Sequence, residues 1–323
     1  MSAPLAVVSA QEGLLQASPQ QVLQSHGLIR QGTGRLWIVA SEVDLKRRLD
    51  KLPAFERTVK DHEQQLAARI NRNAQDWAAR NQAIKSLKSA KTDAQKRSLK
   101  QQIEQLKDAC VKPEELGKHR DVQSLLIELA TERNELLLSV LAARRDFEQM
   151  TAAYERLADE QQVQQALMKL SQDARLGPAQ SYEAAMKQLD DVQRLVATDW
   201  QPLFQQSGLW RVNGIVDERA ATTFTWEPKG DRLLLSGGVA ELAGLLLVAG
   251  KDAELRFGGR RVVARRVVVP SLRFGGCLLH DIDAFILPPE AEDLGSRIGP
   301  GVFGSLEAEI QPERLRLLIR DPR

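Results

Sequence analysis

Glu227-Pro228-Lys229-Gly230-Asp231-Arg232-Leu233-Leu234-Leu235-Ser236 is a charged turn that runs straight into an apolar triplet, and its surroundings decide the fold of the C-terminal third. Upstream, Val212-Asn213-Gly214-Ile215-Val216 and Phe224-Thr225-Trp226 are short β-branched and aromatic runs, the pattern of strands. Downstream, Val239-Ala240-Glu241-Leu242-Ala243-Gly244-Leu245 reads as one helical turn. Further strand runs follow at 245–248, 262–269, 282–287 and 315–319, with a second short helix expected at 301–305. Strands this closely spaced predict a small β-barrel over residues 210–323.

The preceding sequence is of another kind. Of 21 glycines in the 323-residue chain, fourteen follow Trp210, whereas residues 35–207 hold only Gly117 and Gly177. A glycine-poor block rich in Gln, Leu, Ala, Lys, Arg and Glu favours helix. The expected fold class is therefore α+β in separate domains: an N-terminal segment (1–40), a helical region (41–205), and the β-domain (210–323).

Within the helical region Leu45, Leu49, Leu52, Val59, Leu66, Ile70, Trp77, Ile84 and Leu87 share a 4-3 spacing, a coiled-coil seam. Pro53 starts or kinks a helix there. The register stutters over residues 88–97 and resumes at Leu99, Ile103 and Leu106. Pro113-Glu114-Glu115 suits the first turn of a new helix. A second register runs through Val122, Leu126, Leu129, Leu136, Val140, Ala143, Phe147, Met150, Tyr154 and Leu157. Two long helices joined by a short proline turn must run antiparallel if they pack, so residues 43–173 are expected to form a helical hairpin with Trp77 and Phe147 in its seam. Tyr182, Met186, Leu189 and Val196 mark a third, shorter helix. In the N-terminal segment a short helix ends at Gly27, and Arg35-Leu36-Trp37-Ile38-Val39 is a strand that needs a partner.

The C-terminal pattern is specific enough to resemble a known family. A strand, an acidic loop, a strand ending in Ser236 and a helix ending in Ala243-Gly244-Leu245 resemble the first half of a retropepsin-like (clan AA) aspartic protease. Leu272-Arg273-Phe274-Gly275-Gly276 with Asp281-Ile282-Asp283-Ala284-Phe285-Ile286 is similar to that family's strand pair after the flap. Ile298-Gly299-Pro300-Gly301-Val302-Phe303-Gly304 and the residues to Ile310 are similar to its last helix and closing strand. The resemblance implies a two-fold dimer in which each subunit brings one aspartate, the pair sharing a proton. The catalytic aspartate would then stand at Glu227, its hydroxyl neighbour at Pro228 and the glycine at Lys229, so the catalytic loop is degenerate at all three positions. Proline offers neither hydroxyl nor N–H, and Lys229 brings bulk and charge beside Glu227. A shifted alignment gives the role to Asp231, but leaves the strand to Ser236 four residues too short.

The resulting expectation is a non-catalytic binding or dimerisation protein, with no intact catalytic residue. Its alternatives are an active aspartic endopeptidase using Glu227 or Asp231 and a coiled-coil scaffold. The expected partners are a second copy of the chain and a peptide or protein. Cys110 and Cys277 show no metal-ligand spacing, and no cofactor motif is present. Net charge is +2, and residues 211–323 carry sixteen bases and sixteen acids, which argues against a nucleic-acid partner. Arg256, Arg260, Arg261, Arg265 and Arg266 cluster in one segment, which reads as a flap-like hairpin whose arginines protect an edge, or else as a basic ribbon. No apolar stretch reaches the roughly 20 residues that span a bilayer. The first eleven residues, with Val8-Ser9-Ala10, fit either a signal-peptide remnant, and so an exported or periplasmic protein, or an ordinary N-terminus of a cytoplasmic one.

Overall fold

The computed structural model describes residues 17–32, 35–179, 181–247, 250–257 and 259–322. The expectation for the first eleven residues therefore lies outside the described residues. In chain order, the N-terminal elements are helix α1 (Pro19–Ser25), strands β1 (Leu28–Gln31) and β2 (Leu36–Val39), and helices α2 (Ala40–Leu49), α3 (Leu52–Ser89), α4 (Asp93–Lys107), α5 (Arg120–Asp159) and α6 (Gln161–Leu170). They are followed by β3 (Arg175–Leu176), α7 (Ser181–Val196), β4 (Trp200–Gln206), β5 (Leu209–Val216), β6 (Ala220–Trp226), β7 (Leu233–Leu235) and α8 (Gly237–Leu242). Strands β8 (Lys251–Phe257), β9 (Arg260–Phe274), β10 (Cys277–Ile286), β11 (Arg297–Ile298), β12 (Glu307–Gln311) and β13 (Arg316–Arg320) complete the chain. The fold is mixed α+β.

Two compact units form, and they do not follow sequence order. One takes the residues up to Leu52 together with Ala142–Asp191, and the other takes Pro53–Leu141 and Val192–Arg323. In the first, the Ser18 hydroxyl and the Gln21 side chain cap α1 reciprocally. The strand expected at 35–39 finds two partners, pairing antiparallel with β1 and parallel with β3. Glu42 is buried on α2, where it accepts hydrogen bonds from the Tyr154 hydroxyl and the Ala179 N–H. Burial and that neighbouring carboxylate push the Tyr154 phenol well above its usual range. Phe147 is buried edge-on against Tyr182, at 4.6 Å between ring centres.

In the second unit α3 and α5 run antiparallel, since His62 meets Glu132 at 2.7 Å while Arg69 meets Asp121 at 3.4 Å. The residues of the second apolar register are all buried, those from Val122 to Val140 in this unit and those from Ala143 to Leu157 in the first. The first register fades: Val59 and Leu66 are buried, but Trp77 is only half-buried, with the Arg80 guanidinium 5.4 Å from its ring centre. Beyond Asn73, whose side chain ties to the backbone of Val111, α3 has passed the start of α5. Its end therefore lacks α5 as a partner, which corrects the expectation of a continuous seam. The supposed stutter at 88–97 is a reversal. Thr92 and Gln95 form a capping box that starts α4, which returns along α3.

Arg133 joins this helical pair to the sheet. Only 1 % of its side chain is exposed; it binds Glu63, donates to the Val196 carbonyl at 3.2 Å and the Thr198 hydroxyl at 2.7 Å, and stacks over Trp200 at 4.4 Å. Burial lowers its pKa from the ordinary value, and Glu63 opposes that shift. The adjacent Asn134 donates to the Gly214 carbonyl at 3.1 Å.

Ten strands make the large sheet, in the order β12-β13-β4-β5-β6-β11-β7-β10-β9-β8, and an extra β5–β9 pairing at Ile215–Arg273 and Val216–Leu272 links two distant members. Six strands thus form a circuit of hydrogen-bonded neighbours around Phe224, Leu235, Val269, Leu272, Phe274 and Ile298. Two open arms extend from it, so the sheet is not the plain barrel expected. Strand β4 lies inside the stretch expected to be helical. The leucines at 245–247 form a 3-10 turn and not the expected strand, since Gly244 at φ +74° redirects the chain just before them. The expected helix at 301–305 is a 3-10 turn over Pro300–Phe303.

Breaking the Arg133 pair from one side leaves a buried cation without its anion, which costs about 3 kcal/mol. Glu63→Gln should lower unfolding stability in urea by about that amount. The double variant Glu63→Leu with Arg133→Met should recover most of it.

Candidate functional site

The 227–232 loop joins β6 to β7, and between those two strands lies β11. Arg297 and Ile298 pair in parallel with Thr225 and Trp226, while Arg297 also faces Leu234 of β7. The loop is fixed to this inserted strand by its backbone: Glu227 N–H donates to the Ile298 carbonyl at 2.8 Å, and Gly301 N–H to the Gly230 carbonyl at 3.1 Å. Within the loop Gly230 N–H closes a turn on the Glu227 carbonyl at 2.9 Å. Glycine is required opposite it. A Cβ on Gly299 would fall 2.6 Å from the Gly230 Cα, and one on Gly301 2.7 Å from the Asp231 Cα.

A cleft of about 600 Å³ opens above this loop. Trp226, Leu234, Leu255 and Phe257 give it apolar walls, the last two from β8, and Arg256 reaches it from the same strand. Glu227, Pro228, Lys229 and Asp231 all line it, so the four positions singled out in the sequence converge on one place. Their chemistry differs from the expectation in one respect. The cation beside Glu227 is Arg297 and not Lys229: the guanidinium donates to the Glu227 carboxylate at 2.7 Å and, through Nε, to the Leu294 carbonyl at 2.9 Å. The pair is partly sheltered, with side-chain exposures of 23 % and 35 %. Lys229 is exposed, and Asp231 pairs with its neighbour Arg232 at 3.5 Å on the surface.

Sequence reasoning missed Arg297, although it immediately precedes the recognised Ile298-Gly299 segment. A cation at the head of a short strand next to the Ile298-Gly299 segment was the available signal. The cleft is lined by the cations of Lys229, Arg232 and Arg256, of which Arg232 pairs with Asp231 and Arg256 with Glu254. Among the described residues no group of three or more His, Cys, Asp or Glu could hold a metal ion, and no helix is long and apolar enough to cross a membrane.

No family model and no curated protein matches the chain. Among solved structures it is similar to a retropepsin-like aspartic protease from Rickettsia conorii, at 14 % identity and a TM-score of 0.30, over 38 % of this chain and 89 % of that one.

Gly299→Ala should displace the loop from β11, because the new methyl meets backbone and not a flexible side chain. The expected loss is about 2 kcal/mol in thermal or urea unfolding. Gly238→Ala, where nothing lies within 4 Å of the added carbon, should be close to neutral.

Proposed function

We propose that the chain is a non-catalytic binding protein, in which a degenerate retropepsin-like β-unit presents the 227–232 cleft to an extended peptide or protein segment. The Glu227–Arg297 ion pair carries this reading. Aspartic-protease chemistry needs two carboxyl groups that share one proton and pass it to and from water. Here the carboxylate is engaged by the Arg297 guanidinium of the same chain at 2.7 Å, and not by a second carboxyl group. Pro228 supplies neither the hydroxyl nor the N–H that would lock such a loop, and Lys229 brings a long side chain where the resemblance calls for glycine.

The apolar wall from β8 and the surrounding cations support recognition of a peptide. Leu255 and Phe257 offer area for side chains, and β8 is the last strand of its sheet, with one side of its backbone outside the ladder. A homodimer belongs to the same proposal. In it, Glu227 would not depend on Lys229 for neutralisation, because Arg297 of the same chain provides it.

The test is incubation of the purified chain with unstructured peptides at acidic and neutral pH, read by mass spectrometry and by equilibrium binding. Retention without cleavage is expected, with Glu227→Gln leaving the peptides uncut and lowering stability by about 1 kcal/mol or less. Cleavage that this substitution abolishes would replace the proposal with a working endopeptidase. Sedimentation at micromolar concentration tests the dimer, and a monomer removes that half.

A further inference from the structure

The near balance of 45 basic and 43 acidic residues hides a strong segregation. Residues 78–107 hold eight bases against only Asp93 and Glu104, so the rest of the chain is acidic on balance. Both acids are already used, Asp93 by Lys96 at 3.9 Å and Glu104 by Lys107 at 3.0 Å. Lys85, Lys88, Lys91, Arg97 and Lys100 are exposed and have no acidic partner among the described residues. Ordinary solvated surfaces mix the two signs.

These cations stand on a fixed frame. The end of α3 and the whole of α4 form two helices joined at residues 90–92, each roughly 22 Å long. Leu99, Ile103 and Leu106 of α4 are half-buried, which leaves no continuous apolar face for insertion into a bilayer. No exposed aromatic residue lies in this segment, so it has no platform on which unpaired bases could stack. The side chains between the cations are amides and hydroxyls, such as Gln101, Gln102, Ser89 and Ser98, which suit phosphate and sugar oxygens.

We propose that the α3–α4 hairpin binds the phosphate backbone of a nucleic-acid duplex without reading its sequence. The charge balance over the β-unit that argued against nucleic acid does not extend to this segment. The proposal is independent of the peptide cleft.

The full-length chain is titrated with fluorescent duplex DNA and duplex RNA of about 20 base pairs, with a single strand of the same sequence, and with vesicles containing phosphatidylserine. Binding to at least one duplex, tighter than to the single strand, is expected, and comparing the two duplexes tells which backbone is preferred. With about five phosphate contacts, affinity should fall roughly 500-fold between about 50 and 200 mM salt. Arg97→Glu with Lys100→Glu should weaken binding roughly 100-fold at the lower salt and reduce the salt slope by about two. The milder pair Arg97→Gln with Lys100→Gln should show the same direction, with circular dichroism confirming that α4 persists. No duplex binding at low salt, binding to vesicles alone, preference for the single strand, or duplex binding unchanged by both variant pairs would overturn the proposal.

Discussion

Arg297 and Ile298 make a strand of only two residues, yet their hydrogen bonds reach in both directions, to β6 on one side and β7 on the other. That double pairing is the constraint on which the β-unit depends. Without it the circuit of strands is open between β6 and β7, and the 227–232 loop has no floor. It also places the Arg297 guanidinium beside Glu227, so one short strand sets the backbone of the cleft and its electrostatics together. The close passage is possible because Gly299 and Gly301 follow at once, where any side chain would strike the loop backbone.

A second constraint acts at the start of the sheet. Arg133 is withdrawn from water on a long helix, and an isolated charge there would be prohibitively costly. Its fork is shared among a carboxylate, a backbone carbonyl, a hydroxyl and an aromatic face, contributed by Glu63, Val196, Thr198 and Trp200. A cation with so many specific partners tolerates few alternative arrangements of α3, α5 and β4. A well-packed apolar set can replace such a pair at little cost, so the pair by itself is weak evidence of added stability.

The elements that were legible in the sequence are those with a simple pattern. Leu233-Leu234-Leu235 is β7, and the buried register from Val122 to Leu157 lies along α5. Strand β4 was hidden because Trp200-Gln201-Pro202-Leu203-Phe204-Gln205-Gln206 carries a proline and three glutamines and lacks clean alternation. Its partners, β13 and β5, lie far along the chain or just beyond it, and local periodicity does not report them. The reversal before α4 was readable, since Thr92-Asp93-Ala94-Gln95 has the capping-box spacing, but a heptad count alone passes over it. At the candidate site the loop positions were found from the strand that follows them. Arg297 was not, because its role arises from a pairing between segments seventy residues apart.

The cleft shows how backbone geometry and side-chain chemistry can separate. The turn closed by Gly230, the inserted strand and the glycine contacts are main-chain features, and an added side chain would strike the loop backbone at Gly299 and Gly301. None of them requires an aspartate, a hydroxyl residue or a second glycine in the loop. The shape of the loop therefore places no demand on the side chains of Glu227, Pro228 and Lys229. Once the carboxylate is matched by a guanidinium from the adjacent strand, it contributes to holding the loop in place.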